Sequence, residues 1–230
     1  MSTKRFYETV EVVEQPDGYH ILLDGRTLKT PGKQVLQTKT HYIAELIAKE
    51  WRAQDTEIKP ETMPVTRLIN VAIEQTPSNR ERLIKEARKY AETDLLCYRA
   101  SEPQDLVERQ SEQWDPLLSW AKKQGIELDV TQSISAIKQS GASLDNVAQF
   151  ARDLGDVDLT LLVHFIAVFG SAVLGIAVLS QHITALEAFD ISRLDNIYQI
   201  EKWGEDEEAT HATKTLSLEV EALSQIIRSS

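Results

Sequence analysis

The first forty residues consist of short apolar runs separated by turn residues, which is the pattern of β-strands. Strands are predicted at 10–13 and 19–23, joined by a Pro-Asp-Gly turn, and an Asp-Gly step follows the second run. Two more short strands are predicted at 26–30 and 34–38. The pattern therefore predicts a β-meander, and apolar residues on both of its faces indicate that another element packs on it.

From residue 40 onward, apolar residues recur at intervals of three and four, which is the spacing of one helix face. Helices are predicted near 42–51, 65–73, 83–98, 106–121, 143–154, 159–179 and 209–227, the last one beginning near Gly204. Three pairs have the spacing of N-terminal caps: Ser78 with Glu81, Ser101 with Gln104, and Thr184 with Glu187. The stretch 126–137 alternates like a strand, and it can rejoin the N-terminal sheet.

The segment 159–179 is long and apolar enough to imitate a membrane span, because it carries no formal charge except a potential one on His164. Acidic residues crowd its start and no basic residue lies close to either end, whereas membrane flanks usually carry basic or aromatic anchors. Gly170, Ser171 and Gly175 allow close packing of neighbouring helices. We expect one buried central helix.

Charge is distributed unevenly along the chain, whose formal net charge is −11. Residues 1–70 carry no net charge, whereas residues 139–230 carry −9. An acidic C-terminal half repels nucleic acid and favours a basic protein surface as the partner. Cys97 is the only cysteine, so that no internal disulfide can form and a reducing compartment fits.

The most informative stretch is NIYQIEKWGEDEEA at 196–209, in which Trp203 and Gly204 precede four consecutive carboxylates. We refer to residues 205–208 as the acidic run. Such a run can bind a metal, cap a helix or contact a basic partner. Capping needs only one or two carboxylates, and four neighbours repel one another, so capping alone does not account for the run. Trp203 is either a core residue or an interface anchor.

Catalytic and metal-binding patterns are weak. Glu208 and His211 have the Glu-x-x-His spacing of di-iron helical bundles, but such sites need a second copy, which the sequence lacks. His164 and Cys97 each fit a structural role better than a chemical one. No phosphate-binding loop or hydrolase motif is present in the sequence. We expect no enzymatic activity, no cofactor and no metal.

Six motifs follow one another along the chain: LDGRTLKTP at 23–31, AKEWRAQ at 48–54, TMPVTRL at 62–68, YAETDLLCYRA at 90–100, QWDPLL at 113–118 and QIEKWGEDEEA at 199–209. In this order they resemble the motifs of the assembly chaperones of the F-type ATP synthase that bind its α subunit. The resemblance extends over about residues 6–220, and it is loosest over 126–160.

This resemblance implies a non-enzymatic protein that holds the free α subunit and shields the surface that later contacts β. It also implies two domains, in agreement with the change of period. We therefore predict an α+β fold: a small β-containing N-terminal domain, 1–76, followed by a larger multihelical domain of the orthogonal-bundle type, 77–230. The candidate partner-binding residues are Glu201, Trp203, Glu205, Asp206 and Glu207, and Trp51 and Arg67 either join them or fix the two domains.

The family occurs in mitochondria and in α-proteobacteria. Because the first residues lack the pattern of a signal or transit peptide, we expect a bacterial cytoplasmic protein, or a mitochondrial matrix protein if the chain is a processed form. We expect a monomer with the ATP synthase α subunit as its partner and with no membrane insertion. The competing hypothesis is a metal protein or enzyme that uses Glu208 and His211.

Overall fold

The fold was analysed in a computed structural model, which describes residues 3–133, 135–204 and 207–229, with the side chains of all but 207, 208, 228 and 229. The chain forms two compact units. The first comprises Met1–Asn79 together with Ala222–Ser230, and the second comprises Arg80–Glu221. Residues near the C-terminus thus belong to the N-terminal unit, which no pattern in the sequence indicates.

The first unit contains the strands. They are β1 (Thr3–Lys4), β2 (Val10–Gln15), β3 (Gly18–Leu23), β4 (Arg26–Thr27), β5 (Gln37–Thr38) and β6 (Glu57–Ile58). The main sheet has the order β2–β3–β4, with β5 also paired to β3, and all of these pairs are antiparallel. β1 and β6 form a separate antiparallel pair.

The predicted hairpin turn lies between β3 and β4. Asp24 and Gly25 have φ angles of 48° and 74°, as a turn of the type I′ family requires. The Asp24 carboxylate also accepts hydrogen bonds from the N–H groups of Glu8 (3.0 Å) and Thr9 (2.8 Å). The turn residue therefore anchors the segment that precedes β2, in addition to reversing the chain.

Two helices complete the first unit: α1 (His41–Arg52) and α2 (Pro64–Glu74). Thr40 caps α1 by accepting from the N–H of Ile43, and the buried face of α1 contacts β2, β3 and β5. Both helices were predicted from the apolar spacing, and both are confirmed. The element expected to pack on the sheet is therefore α1, and a C-terminal 3-10 helix, Gln225–Ser229, also contacts α1.

The second unit is helical. Its elements are α4 (Gln104–Lys123), α5 (Gly141–Asp153), α6 (Asp156–Phe169), α7 (Ala172–Leu179), α8 (Ala185–Ser192) and α9 (Leu194–Trp203). Two further helices extend across the unit boundary, α3 (Thr76–Glu92) and α10 (Glu207–Ser224). α7 forms the centre, because seven of its eight residues are buried and it packs against α4, α6 and α8. The predicted α+β fold with a multihelical C-terminal part is confirmed.

The prediction of one helix over 159–179 is wrong. α6 ends at Phe169, Gly170 adopts φ +66°, and Ser171 caps the separate helix α7 by accepting from the N–H of Leu174. The left-handed conformation at Gly170 ends α6, and the Ser171 hydroxyl starts α7. Among the described residues, no helix combines the length and apolarity that a membrane span requires.

Helix boundaries differ from the predictions in other places too. Thr184 and Glu187 form the predicted capping box of α8, but α4 has Pro103 at its N-cap, without a side-chain cap from Ser101. α3 already begins at Thr76, before the predicted cap at Ser78. Thr131 forms a parallel bridge with Tyr98, and the described part of 126–137 contributes no strand to the N-terminal sheet.

The regular apolar spacing of α10 leads to burial only in the C-terminal half of the helix. Val220 and Leu223 are buried, whereas Ala209, Ala212 and Thr213 are exposed. The described helix starts at Glu207, close to the predicted start near Gly204. The spacing therefore predicted the helix, but it did not predict that the part next to the acidic run is exposed.

Candidate partner-binding surface

One side of α9 is fastened to α4 by a group of polar contacts. The Tyr198 hydroxyl donates to Asp105 Oδ1 (2.7 Å), and Lys202 Nζ lies 3.2 Å from Asp105 Oδ2. The hydrogen bond from Tyr198, supported by Lys202, lowers the pKa of Asp105 below its usual value. Gln110 Nε2 donates to Asp195 Oδ1 (2.8 Å) nearer the start of α9. These contacts fix which face of α9 points inward.

The other side of α9 is apolar and exposed. Ile197, Ile200 and Trp203 lie three residues apart, and their exposed fractions are 41%, 42% and 77%. We call these three residues the α9 strip. Three-residue spacing places them on one side of the helix, opposite the buried Tyr198, and the buried Leu194 precedes Ile197 at the start of this row. A tryptophan this exposed, in line with two isoleucines, is typical of an interface rather than of a folded core.

The acidic run follows the strip directly. Gly204 ends α9 with φ +94°, and α10 begins at Glu207. Glu205 and Asp206 lie outside the described residues, and for Glu207 and Glu208 only the backbone is described. Glu207 is therefore placed in the first turn of α10, where negative charge complements the helix dipole.

Glu201 is the candidate acid whose side chain the structure describes, and it forms an ion pair. Its Oε2 lies 2.7 Å from Nη1 of Arg109 on α4, and both side chains are partly exposed. An exposed ion pair of this kind adds little stability, typically about 0–1 kcal/mol. The pair joins α9 to α4, and the Arg109 guanidinium balances the charge of Glu201 locally.

Trp51 lies in the first unit, near the end of α1. Its ring packs 5.5 Å from the ring of Tyr7, and its carbonyl accepts a hydrogen bond from the Tyr7 hydroxyl (2.7 Å). The indole Nε1–H is shielded from solvent and has no hydrogen-bond partner among the described residues. Trp51 is thus part of the first unit's packing, whereas Glu201 and Trp203 belong to the second unit.

Arg67 is exposed on α2, beside a cap that joins α1 to α2. The Glu50 carboxylate accepts from the N–H groups of Val65 (2.7 Å) and Thr66 (2.8 Å) and from the Thr66 hydroxyl (2.6 Å). Burial raises the pKa of Glu50, and these hydrogen bonds and the nearby Arg67 oppose that rise. The AKEW and TMPVTRL motifs therefore meet at the start of α2, with Arg67 as an electrostatic neighbour.

The metal hypothesis concerns Glu208 and His211 at the start of α10. His211 is exposed, and the side chain of Glu208 lies outside the described set. Among the described residues no three His, Cys, Asp or Glu side chains form a cluster suited to a metal. Use of Glu208 and His211 by a metal stays a hypothesis, and metal analysis of the purified protein tests it.

The surroundings of Cys97 and His164 are those of residues with a structural role. Cys97 is fully buried, and burial, together with the nearby Asp94, raises the pKa of its thiol to about 12. A thiol with so high a pKa is a poor nucleophile at neutral pH. His164 Nε2 lies 3.8 Å from Glu219 Oε1, at the partly exposed side of α6.

Ile197 and Ile200 were not predicted as site residues from the sequence. Their signal was present, because residues 194–203 carry apolar side chains on two helix faces, and one buried face accounts for only one of them. A helix that is apolar on both faces in an otherwise amphipathic unit indicates a second contact surface.

Comparisons with known proteins agree with the motifs. A family model described as ATP12 chaperone protein matches residues 4–122. A curated relative, "Protein atp12, mitochondrial" of Schizosaccharomyces pombe, is 26% identical over 221 residues, which cover 90% of this chain and 76% of the relative.

Solved structures extend the match over nearly the whole chain. The crystal structure of Atp12 from Paracoccus denitrificans is 35% identical, with a TM-score of 0.91 and coverage of 98% of this chain and 97% of that one. Atu1473, a putative chaperone from Agrobacterium tumefaciens, is 32% identical, with a TM-score of 0.94 and coverage of 99% and 86%. This chain belongs to the ATP12 chaperone family, which serves ATP synthase assembly.

Proposed function

We propose that this protein binds the free α subunit of the F-type ATP synthase and shields its β-contacting surface until assembly. The binding surface consists of the α9 strip together with the acidic run and Glu201. Trp51 and Arg67 support it indirectly, by stabilising the first unit. The role is non-enzymatic and requires no cofactor.

The observation that carries this proposal is the exposure of Trp203, at 77%, immediately before four carboxylates. An aromatic anchor with a charged rim is the usual composition of a protein-binding hot spot. The anchor supplies affinity when it is buried, and the rim selects a basic partner and speeds its association.

The polar contacts that hold α9 on α4 support the same interpretation. Asp195, Tyr198 and Lys202 hold the inward face, so that the outward face is presented by a fixed helix rather than a loose segment. A preorganised surface loses less conformational entropy on binding. A chaperone that must hold a subunit and later release it benefits from such a surface.

Co-purification tests the identity of the client. The tagged chain is expressed with the α subunit or with the β subunit, and we expect it to retain α but not β. The double variant Glu205→Lys plus Glu207→Lys is expected to lose most of the α subunit, because the charge of the rim is reversed.

Glu11→Lys plus Glu14→Lys serves as the matched control, because it changes net charge equally at exposed positions of β2. We expect this control to retain α. The proposal fails if the Glu205/Glu207 variant remains folded and still retains as much α subunit as the wild type.

A further inference from the structure

A groove with a volume of ≈ 560 Å³ lies in the first unit, between the segment around Phe6 and the strand β4. Its walls include Phe6, Tyr7 and Trp51 on one side and Thr27 and Lys29 on the other. The size is within the usual range of ligand-binding clefts. None of the contacts assigned above to the client surface uses it.

The aromatic wall is rigidly built. Arg5 donates to the carbonyls of Tyr7 (3.0 Å) and Gln54 (2.6 Å), and its guanidinium lies 4.7 Å from the centre of the Tyr7 ring. Tyr7 in turn donates to the carbonyl of Trp51 (2.7 Å). Phe6, by contrast, is 66% exposed at the rim. The groove thus combines an aromatic wall that hydrogen bonds hold in place with the exposed side chain of Phe6 at its rim.

The opposite wall is a free sheet edge. Leu28 donates its N–H to Ile21 (2.8 Å), and its carbonyl accepts from Leu36 (3.0 Å), so both backbone groups of Leu28 point into the sheet. Because backbone groups alternate along a strand, those of Thr27 and Lys29 point the other way. β4 is the last strand in the order β2–β3–β4, and residues 26–29 all line the groove. Lys29 is bridged to Val35 within its own hairpin, and on the groove side the backbone groups of Thr27 and Lys29 have no backbone partner among the described residues.

The net charge of the side chains that line the groove is positive. Arg26 and Lys29 are exposed, and neither forms an ion pair with any residue that the structure describes. Asp24 is the acid in the lining, and its carboxylate accepts hydrogen bonds from the N–H groups of Glu8 and Thr9. The hydrogen bond from Thr9 is the main cause that lowers the pKa of Asp24, and the nearby Arg26 also lowers it. Two cations and one carboxylate leave the lining positive, so an occupant with carboxylates of its own complements it.

We propose that this groove binds an extended segment of a partner protein, which adds as a strand to the free edge of β4. The unpaired backbone of Thr27 and Lys29 requires an extended chain. Phe6 and Trp51 select apolar side chains, and Arg26 and Lys29 select acidic ones. The segment therefore alternates apolar and acidic residues. Its chemistry is opposite to that of a basic partner for the acidic run, so this site does not rest on the proposed function.

Titration with a synthetic peptide tests the site. The probe is acetyl-Glu-Val-Glu-Phe-Glu-Val-amide, and the readout is the amide and indole N–H spectrum of the isotope-labelled full chain. The indole signal of Trp51 is assigned with Trp51→Phe. We expect saturable shifts of the Trp51 indole and of the Thr27 and Lys29 amides.

Two altered peptides separate the contribution of charge from that of strand pairing. Replacing each Glu of the peptide with Lys keeps the apolar side chains but reverses the charge, and we expect at least about tenfold weaker binding. N-methylation of alternate amides keeps the side chains but prevents strand pairing, and we expect a similar loss.

Two variants of the chain test the same contacts from the other side. Thr27→Pro removes an outward-pointing N–H at an edge position without touching the bonds of Leu28, and Arg26→Glu plus Lys29→Glu reverses the charge of the groove. Each should weaken the peptide about tenfold. Lys39→Glu plus Lys59→Glu changes two exposed residues that do not line the groove and should bind like the wild type.

Several outcomes overturn the proposal. Unchanged Trp51, Thr27 and Lys29 signals at saturating peptide would show that the groove does not bind such a segment. Equal binding of the N-methylated peptide would exclude strand addition. A dimer in sedimentation that Thr27→Pro dissociates would show that the edge pairs with a second copy of the chain instead. If Thr27→Pro unfolds the protein, the charge-reversal variant and the two altered peptides still test the proposal.

Discussion

Trp203 and Trp114 show how differently one residue type is used in this protein. Trp114 is buried and donates its indole N–H to the carbonyl of Ile191 (3.2 Å), whereas Trp203 is 77% exposed. Removing a buried tryptophan typically costs about 3–5 kcal/mol, but an exposed one contributes little to folding. Exposure thus separates a packing residue from a candidate contact residue.

Trp203→Ala should abolish most client retention while leaving stability almost unchanged. We expect the free energy of unfolding to change by less than about 0.5 kcal/mol, because the side chain is mostly exposed. Affinity for the α subunit should fall by at least about 2 kcal/mol, as for a central aromatic anchor. Denaturant unfolding and equilibrium binding measure the two quantities.

Val130→Ala is the matched control, because Val130 is an exposed apolar residue at 48% outside α9. It should bind the α subunit like the wild type. Loss of binding in both variants would indicate a diffuse apolar effect instead of a specific anchor.

Asp94 is a buried carboxyl group that joins two parts of the second unit. It accepts from the Ser171 hydroxyl (2.7 Å) and from the N–H groups of Val173 (3.1 Å) and Leu96 (3.1 Å). Burial is the main cause that raises its pKa from 3.8 to about 6, and these hydrogen bonds oppose the rise. Asp94 therefore gives part of the YAETDLLCYRA motif a role in internal packing.

The raised pKa of Asp94 predicts a specific pH dependence of stability. Between about pH 4 and pH 6 the folded state holds this proton more tightly than the unfolded state, so the contribution of Asp94 to stability decreases as pH rises. The total decrease is roughly 3 kcal/mol, and it is complete above the folded pKa.

Unfolding free energies of wild type and Asp94→Asn, measured over this pH range, check the prediction. The stability of the wild type relative to the variant should decline from about pH 4 to about pH 6 and then stay constant. A relative stability that increases with pH would mean that the folded state favours the ionised carboxylate.

Among the elements, the α6–α7 pair shows what sequence patterns could and could not predict. The continuous apolar character of 159–179 predicted burial, and α7 is indeed buried on all sides. It did not predict the break, because a left-handed residue at Gly170 and a cap at Ser171 depend on backbone geometry rather than on hydrophobicity. Similarly, the capping box of α8 was predictable from two residues, whereas the start of α4 at Pro103 was not.

Gly175 should be essential to the close packing of α6 and α7. A Cβ atom at Gly175 would lie 2.7 Å from Cγ1 of Ile166 and 3.4 Å from Cδ1 of Leu162. Gly175→Val should therefore destabilise the protein by about 1–3 kcal/mol through overpacking. Thermal or denaturant unfolding measures this loss.

Gly141→Val is the control for that substitution, because a Cβ atom at Gly141 would meet no atom within 4 Å. We expect a change of less than about 0.5 kcal/mol there. Equal effects at the two glycines would mean that backbone entropy, and not the α6–α7 contact, governs the loss.

At the scale of the whole molecule, charge separates the C-terminal part of the chain from the rest. Residues 139–230 carry −9, and residues 1–70 carry no net charge. The sequence was sufficient for this distribution, for the fold class and for the family. Its apolar residues on two faces of α9 indicated a second contact surface, but not which face is exposed, because that depends on the face of α9 that the Asp105 and Gln110 contacts hold inward.

Association with the α subunit should depend on ionic strength, because acidic rims accelerate the encounter with a basic partner. Raising the salt concentration should slow association of the wild type more than dissociation. In the Glu205→Lys plus Glu207→Lys variant this salt dependence should be weaker. Stopped-flow or surface-based kinetics at several salt concentrations measure both rates.

Photo-crosslinking from position 203 tests most directly whether the α9 strip contacts the client. A photoreactive phenylalanine analogue replaces Trp203 in one protein and Val130 in another, and each is irradiated together with the free α subunit. We expect a crosslink to the α subunit from position 203 and none from position 130. Retention of the α subunit without a crosslink from position 203 would contradict this expectation.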